Sequence, residues 1–543
     1  MTAPPLTAEA VAQPTLAEEV GALLAQLEAQ PHGQVSTSVY ETGRLVADTP
    51  WVAGHPQRLA YLLAEQGDDG SWGPAGGYAL VPTASAVQAL LASLVRCDPP
   101  DPAGPDRAAV AAAATRGLIA LARHLGEGTA LPDTPAADLI VPTLVARIDT
   151  DLVALAGDPA LTGAPAALPR IDRRRVEAVD ALLAGGRPVP SKLWHAYEVL
   201  GPAAAARTEV APIEGAVGAS PAATAVWLSH RGAEDRAARA YLDAVVARHN
   251  GPVPCCAPIT VFERSWALAN LARAGVPVRP GARLVAELVA ALGPEGAATG
   301  PGLPADADTT STTLYALARL GHPVDPVSLL RYDLGSHFCT WQGEDGQSIT
   351  TNAHVLETLG WHARYTTDGA DRYAARVRSL AGWLREVQQP DGLWVDRWHA
   401  SPYYATYCAV SALAAYAPPE VAHPAIDRAV DRILATQRED GGWGRWSTTT
   451  EETAYAVQIL LAGGRPIRPE MTAAVRRAFA QLHVNRLDHP PLWHDKDLYA
   501  PILIVRSAVI AARKLAHAAV PTFNQALPAT REAGTGSGMI TTA

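Results

Sequence analysis

Apolar residues recur at helical spacing along most of this 543-residue chain. In TASAVQALLASLV, Val87, Leu90, Leu91, Leu94 and Val95 fall three and four apart, which puts them on one face of an amphipathic helix. The same spacing in NAHVLETLGW and EETAYAVQILLAGG predicts two further helices, with Gly360 and with Gly463 and Gly464 as their C-terminal stops. No region sustains a period of two between hairpin turns. Short Pro, Gly and Asp clusters separate the helical stretches, so the pattern predicts an all-α protein.

A degenerate repeat is laid over this pattern. Gln66–Gly73 reads QGDDGSWG, Gln389–Trp394 reads QPDGLW and Gln437–Gly444 reads QREDGGWG. Each has a Gln at the end of a helical stretch, an Asp-Gly turn and a Trp, followed by another helix. Asp-Gly supplies the tight turn, the Trp ring covers the helix end, and the Gln amide can bond free backbone groups there. Repeated helical hairpins of this kind predict α/α-barrels. About 300 residues separate the first copy from the other two, which suggests two barrels. By themselves the repeats imply packing, not catalysis.

A chain of this length is too long for one compact core, which agrees with two domains. Net charge is −10, with no Lys/Arg run, which argues against a nucleic-acid partner while leaving room for a small basic pocket. The five cysteines (Cys97, Cys255, Cys256, Cys339 and Cys408) have no CxxC spacing, so a reduced cytoplasmic location without a zinc cluster is expected. The first twenty residues have no basic segment ahead of an apolar one, and no run approaches about 18 uninterrupted apolar residues. Neither a signal peptide nor stable membrane insertion is therefore expected. The Gly/Ser/Thr-rich tail, residues 526–543, is expected to be disordered.

The sharpest chemical signal is Asp306-Ala307-Asp308-Thr309-Thr310, which follows a Gly/Pro loop and opens the helix TTSTTLYALARL. Asp and Thr are good helix N-caps, so the segment can be read as a cap. It can also be read as a coupled acid. In an apolar cavity one of two neighbouring carboxyls stays protonated because desolvation disfavours its charge, and such a group can protonate an alkene.

The segment resembles the DxDD acid motif of class II diterpene cyclases, in which the middle Asp donates the proton; that position is Asp308 here. Thr309 stands where the family has its last Asp, and the DxDTT form is similar to that of cyclases making drimane-type sesquiterpenes. Further stretches resemble landmarks of the same family in order. VSTSVYETGRLVA (Val35–Ala47) resembles SAYDTAW, AADLIVPTLVARI (Ala136–Ile148) resembles GFE-x3-P, and SKLWHAYEVLG (Ser191–Gly201) resembles LLHSLEG. TVFERSWALANLARAG, DRWHASPYYATY, EETAYAVQIL and LWHDKDLYAPILIVRSA match later landmarks, so the resemblance runs from about residue 20 to 520. The Trp repeats likewise resemble the QW motifs of triterpene cyclases and their diphosphate-using relatives.

The resemblance implies two α/α-barrel domains, termed β and γ. Residues 1–45 would complete the β domain, 46–280 would form the inserted γ domain, and 281–525 would form the β domain with the acid. It implies Asp308 as general acid assisted by Asp306 and Thr309, with Asn352 hydrogen-bonded to the acid. It implies Mg²⁺ on the substrate diphosphate, with Glu41, Asp133 and Asp138 as candidate ligands and Lys496 and Arg506 as candidate diphosphate cations. Ring faces stabilise carbocations by roughly 0.5–2 kcal/mol each. Trp341, Trp398, Tyr403 and Tyr404 are therefore expected pocket walls, alongside His195. Some plant relatives pair that His with an Asn in a VPN segment as terminating base; here the segment reads VPCC, with Cys255 at the Asn position. The substrate implied is farnesyl diphosphate, cyclised to drimenyl diphosphate. The alternative is geranylgeranyl diphosphate, cyclised to a copalyl- or labdane-type diphosphate. Oligomeric state is left open.

Four other classes compete. A metal-ionised terpene synthase needs DDxxD, which is absent. A squalene-type cyclase needs a membrane-attachment segment, and a zinc prenyltransferase subunit needs a Cys/His/Asp ligand set. A sugar-acting barrel using Asp306 and Asp308 leaves the ordered landmarks without explanation.

Overall fold

The computed structural model describes residues 15–97, 104–231, 234–344, 346–462, 466–483 and 489–520. The tail at 526–543 and the expected stops Gly463 and Gly464 lie outside them. Helices dominate, and the two-residue strands Trp493–His494 and Leu498–Tyr499 form the one sheet among the described residues. The all-α reading holds.

Buried apolar residues form three clusters. One runs from Tyr40 to Val253 and is built on the helices Val39–Asp48, Leu80–Arg96, Arg107–Gly126, Ala137–Ala154, Pro221–Arg231 and Arg236–Arg248. A second, from Cys255 to Val520 together with Val35 and Ala219, holds Ile349–Tyr365, Pro402–Tyr416, Thr450–Leu461 and their neighbours. A third joins helix Leu16–Ala29 to Thr260–Arg273, Ala307–Arg319 and Ile502–Ala519. Core membership thus changes near residues 35–40 and again near 253–255, where the sequence reading placed the changes at 45 and 280. Helices are rigid units. Val39–Asp48 commits Tyr40, Leu45 and Val46 together to the first core, and Thr260–Arg273 commits Trp266 to the second.

Helix Leu80–Arg96 buries Val87, Leu90, Leu91 and Leu94 as its periodicity predicts, while Val95 faces outward at 39% exposure. The segment Gly76–Arg96 is apolar enough to cross a membrane by composition, but 89% of its window is buried inside the first core. Gly360 does not end its helix. Helix Ile349–Tyr365 runs through it because the Tyr416 ring packs there, 2.5 Å from where a Cβ would stand.

The Trp repeats are three copies of one device. The indole N–H of Trp72, Trp394 and Trp443 donates to the carbonyl ten residues earlier, on Leu62, Leu384 and Ile433, at 2.7, 2.8 and 2.8 Å. The Trp backbone N–H donates to a Thr hydroxyl of the next helix: Thr83, Thr406 or Thr453. Gly70, Gly392 and Gly441 adopt left-handed φ values of 85°, 94° and 85° against a carbonyl of the facing helix (Arg116, Arg428 and Arg477), a space no Cβ could share. The Gln amide spans the joint: Gln66 bonds Gly70 and Ala113, Gln437 bonds Gly441 and Ala474. In the middle copy this Gln is Gln388, bonding Gly392 at 2.7 Å and Ala425 at 2.9 Å, and not Gln389 as the sequence reading had it. Gln389 is exposed.

The two glutamines separate the device from its neighbour. Gln388→Ala leaves two backbone carbonyls without their donor and is expected to cost about 1–3 kcal/mol in thermal or denaturant unfolding. Gln389→Ala is expected to stay within about 0.5 kcal/mol of the parent.

Candidate active site

The Gly/Pro loop brings the chain to Asp306 in extended conformation. The Asp306 N–H donates to Ala297 O, and its Oδ1 accepts the Thr309 N–H at 2.6 Å, capping helix Ala307–Arg319. The cap reading is therefore correct for Asp306. Asp308, one residue into the helix, is free of that duty and points elsewhere. Its Oδ1 lies 2.7 Å from His354 Nδ1, and its side chain keeps 14% of its surface accessible while His354 keeps 1%.

Electrostatics keep this carboxyl protonated. Burial first, and then the negative charge of Asp396, push Asp308 well above the ordinary carboxylate range; the Arg273 guanidinium opposes them and does not prevail. Arg273 is tied to Glu357 by two bonds, of 2.7 and 2.6 Å. Asp396 is itself fixed at the start of helix Ile349–Tyr365, accepting from Ser348 Oγ, the N–H and hydroxyl of Thr350 and the Trp398 N–H. Asp306 is also pushed up, to about 8, chiefly by burial. His354 is pushed down to about 3, again chiefly by burial, with Arg273 adding to it. The imidazole is therefore neutral. Its Nε2 is buried and unpartnered, and an unpaired acceptor is cheaper to bury than an unpaired N–H, so the ring proton belongs on Nδ1. Nδ1–H then donates to Asp308 Oδ1, leaving the acidic proton on Oδ2. A neutral carboxyl with a preset donor behind it is suited to protonating an alkene.

Aromatic rings surround this pair. Trp266 meets His354 edge-on at 5.3 Å and donates its indole N–H to Tyr404 Oη at 2.8 Å. Tyr404 in turn packs on Trp493 at 4.5 Å, His399 at 4.8 Å and Tyr455 at 5.2 Å. Trp341 and Trp398 form a T-shaped pair at 5.2 Å, and both indole N–H groups are buried without a partner. Tyr403, one residue before Tyr404, turns away along the helix and pairs with Thr436. It is not part of this cluster.

Several expected roles meet different surroundings. Asn352 does not touch the acid: its Oδ1 accepts the Phe338 N–H at 2.8 Å and its Nδ2 donates to Phe338 O and Ser348 O, so the amide is spent on a loop. The Thr309 hydroxyl lies 3.2 Å from that of Thr299. Lys496 is fully buried, bonded to His195 O, Glu198 and Ser220 and ion-paired with Glu41, so it is not available to a diphosphate. Glu41 is sealed by Lys496, Ser220 and the Ala222 N–H. Arg506 faces helix Leu16–Ala29 and bonds Gln26 at 2.7 Å. Asp133 and Asp138 are largely exposed and paired with Arg397 and Arg175. The three carboxylates expected to hold Mg²⁺ therefore do not converge. Among the described residues no group of three or more His, Cys, Asp and Glu is placed to hold a metal. His195 is locked between Asp495, at 2.8 Å, and Gly218 O, at 2.6 Å. Burial alone would raise Asp495, but His195 and Lys496 hold it down at about 2.

Residues 344–486 match the squalene-hopene cyclase C-terminal domain family. Along nearly its whole length the chain is similar to the ent-copalyl diphosphate synthase of Streptomyces sp. strain KO-3988, 42% identical over 506 residues, 91% of this chain and 95% of that one. The chain belongs to the class II terpene cyclases. It is also 40% identical to the labda-7,13-dienyl diphosphate synthase of Streptomyces clavuligerus, over 90% of the cyclase and 91% of that protein. The solved ent-copalyl diphosphate synthase of Streptomyces platensis superimposes with a TM-score of 0.86 at 43% identity, covering 92% of the cyclase and 99% of that chain. Two α-helical barrels are therefore the architecture of the cyclase, and it is an enzyme.

The sequence reading missed His354, Asp396, Trp266, Tyr455 and Trp493. A signal existed for His354: a His two residues after the expected Asn, in the Thr-rich first half of the helix Ile349–Tyr365. None existed for Asp396, which approaches from a loop of another hairpin.

Two measurements test the acid. Asp308→Asn is expected to abolish cyclisation and to raise the melting temperature. At neutral pH the carboxyl is protonated when folded and ionised when unfolded, so folding must take up a proton, and the amide removes that cost. Turnover is expected to fall as pH rises through about 8, because an ionised Asp306 beside Asp308 holds its proton more tightly and makes it a weaker donor. In Asp306→Asn, which keeps the cap, the alkaline limb of kcat is expected to move upward.

Proposed function

We propose that the cyclase takes geranylgeranyl diphosphate, protonates its terminal alkene with Asp308 and closes two rings, releasing a copalyl- or labdadienyl-type diphosphate with its phosphoester intact. The proton leaves Asp308 Oδ2, the alkene π pair becomes the new C–H bond, and each ring closes as the next π pair attacks the cation. Loss of one proton from the bicyclic cation restores a double bond, so product and substrate are isomers. The aromatic rings around His354 and Tyr404 support the passing charge, and holding the chain folded against the acid supplies the proximity that ring closure needs.

The end-to-end match with relatives whose names specify copalyl and labdadienyl products carries this reading. Both are C20 bicyclic diphosphates, which favours the C20 alternative over the farnesyl one. The farnesyl expectation rested on Thr309 in place of the last Asp and on Cys255 in place of the VPN Asn; the Thr309 hydroxyl is paired with that of Thr299. Mg²⁺ is given no step, because the expected carboxylates do not assemble.

Each methylene buried on binding is worth about 0.8 kcal/mol, so the five extra carbons allow a preference of up to about 10³-fold. Incubation with both diphosphates, phosphatase treatment and mass spectrometry is expected to give kcat/KM at least about tenfold higher for geranylgeranyl than for farnesyl diphosphate. Equal or reversed values would return the assignment to a C15 substrate. A product lacking diphosphate before phosphatase treatment would exclude the protonation mechanism.

A further inference from the structure

The reaction just described ends when a carbocation gives up a proton, so the enclosure needs a base as well as an acid. His195 and Cys255 occupy the positions where plant relatives carry such a base. His195, however, is committed to Asp495 and Gly218, and burial pushes the Cys255 thiol far up. Another carboxyl lies among the aromatic rings. Glu451, in the first turn of helix Thr450–Leu461, is fully buried. Its Oε1 collects three donors: the Trp493 indole N–H at 2.7 Å, the Tyr455 hydroxyl at 3.1 Å and His399 Nε2 at 3.3 Å. The His399 tautomer is fixed, because its Nδ1 accepts the Ser401 N–H at 3.0 Å and its proton must then sit on Nε2. Glu451 Oε2, by contrast, is buried with no partner. Converging every donor on one oxygen and leaving the other bare is costly, and such a group calls for a reason.

We propose that Glu451 Oε2 is the base that takes the final proton from the bicyclic cation. The inference rests on the protonation-initiated cyclisation assigned to Asp308 above. Position supports it. Trp266 covers His354, the partner of the acid, and donates to Tyr404; the Tyr404 ring packs on Trp493 and Tyr455, and both of these donate to Glu451. Acid and base are thus joined by one continuous set of contacts through His354, Trp266, Tyr404 and then Trp493 or Tyr455. In the step, a C–H bond next to the cationic carbon breaks, its electron pair becomes the C=C bond, and the proton passes to Oε2. Asp308, left as a carboxylate by the first step, and Glu451, now a carboxylic acid, exchange protons with water once product departs. No net proton is gained or lost.

Glu451→Gln keeps the volume and the oxygen that Trp493 and Tyr455 bond, and replaces the bare oxygen by an amide NH₂. With geranylgeranyl diphosphate and product analysis after phosphatase, kcat is expected to fall about tenfold to a hundredfold. The native alkene isomer is expected to become a minor product beside other double-bond isomers and an alcohol one water heavier. Glu451→Asp is expected to give an intermediate ratio, and it serves alone if the Gln variant does not fold. A purely structural role would lower rate or melting temperature and leave the product ratio untouched; an unchanged ratio in either variant overturns the proposal. Asp308→Asn, assayed in parallel, separates the two readings. Substrate consumed normally there would sink the acid assignment, whereas a shifted product in Glu451→Gln concerns the last step alone.

Discussion

Keeping one carboxyl neutral at neutral pH is the constraint around which this molecule is arranged. Ionising a buried carboxyl costs several kcal/mol unless a cation lies close, so the protein must deny Asp308 such a cation. It does so in three ways. His354, the side chain that touches Asp308, is held uncharged by burial. Arg273, the cation that acts on it, is occupied by Glu357. The remaining influence is the negative charge of Asp396, which raises Asp308 further and so keeps its proton in place at neutral pH. Asp396 is held in place by donors at the start of the helix that carries His354, so the acid's partner and the charge that tunes it are positioned by one element.

The same requirement explains where the other buried charges lie. Lys496, Glu41, Glu198, His195 and Asp495 form a closed network between the first core and the segment around the two short strands. Buried ions are tolerable when paired and hydrogen-bonded: Lys496 is shared by Glu41 and Glu198, burial pushes Glu41 up to about 7, and His195 pairs with Asp495. The network joins residues far apart in sequence, such as Lys496 and Glu198, and so ties the two cores without placing a cation near Asp308. Ordinary barrel packing carries the rest. The three Trp devices fix helix ends mainly through bonds to backbone groups, and the one charged donor in each, Arg116, Arg428 or Arg477, is taken up by the device's own Gln.

Much of this was legible in the chain, for identifiable reasons. Helices were readable because their apolar periodicity is local, and the Trp devices because the motif of each, from Gln to Trp, is a short local run. Asp308 stood out because two carboxyls at a helix start are scarce in so apolar a context. What failed was anything that depends on which way a side chain points across the fold. Glu41, Asp133 and Asp138 are all acidic and near family landmarks, yet one is sealed by a lysine and the other two face solvent against arginines. Lys496 and Arg506 have the right charge for a diphosphate, but the first is wholly buried and the second faces the N-terminal helix.

Asn352 and His354 show the limit most sharply. Both lie on helix Ile349–Tyr365, two residues apart, and successive helical residues turn by about 100°. The two side chains therefore leave the helix about 200° apart, on opposite faces, and only one of them can meet a group on a given neighbour. The sequence resemblance points to Asn352 as partner for the acid; the facing helix Ala307–Arg319 meets His354 instead. Asn352 turns to the loop at Phe338, whose backbone N–H and C=O it satisfies, and His354 turns to Asp308. Exchanging those duties would require the helix to rotate by half a turn, which would bury Asp396's hydrogen-bond donors in the wrong place and unpair the Phe338 loop. Choice of acid partner is thus a property of helix phase, set by the packing of several elements at once, and no single motif in the chain encodes it.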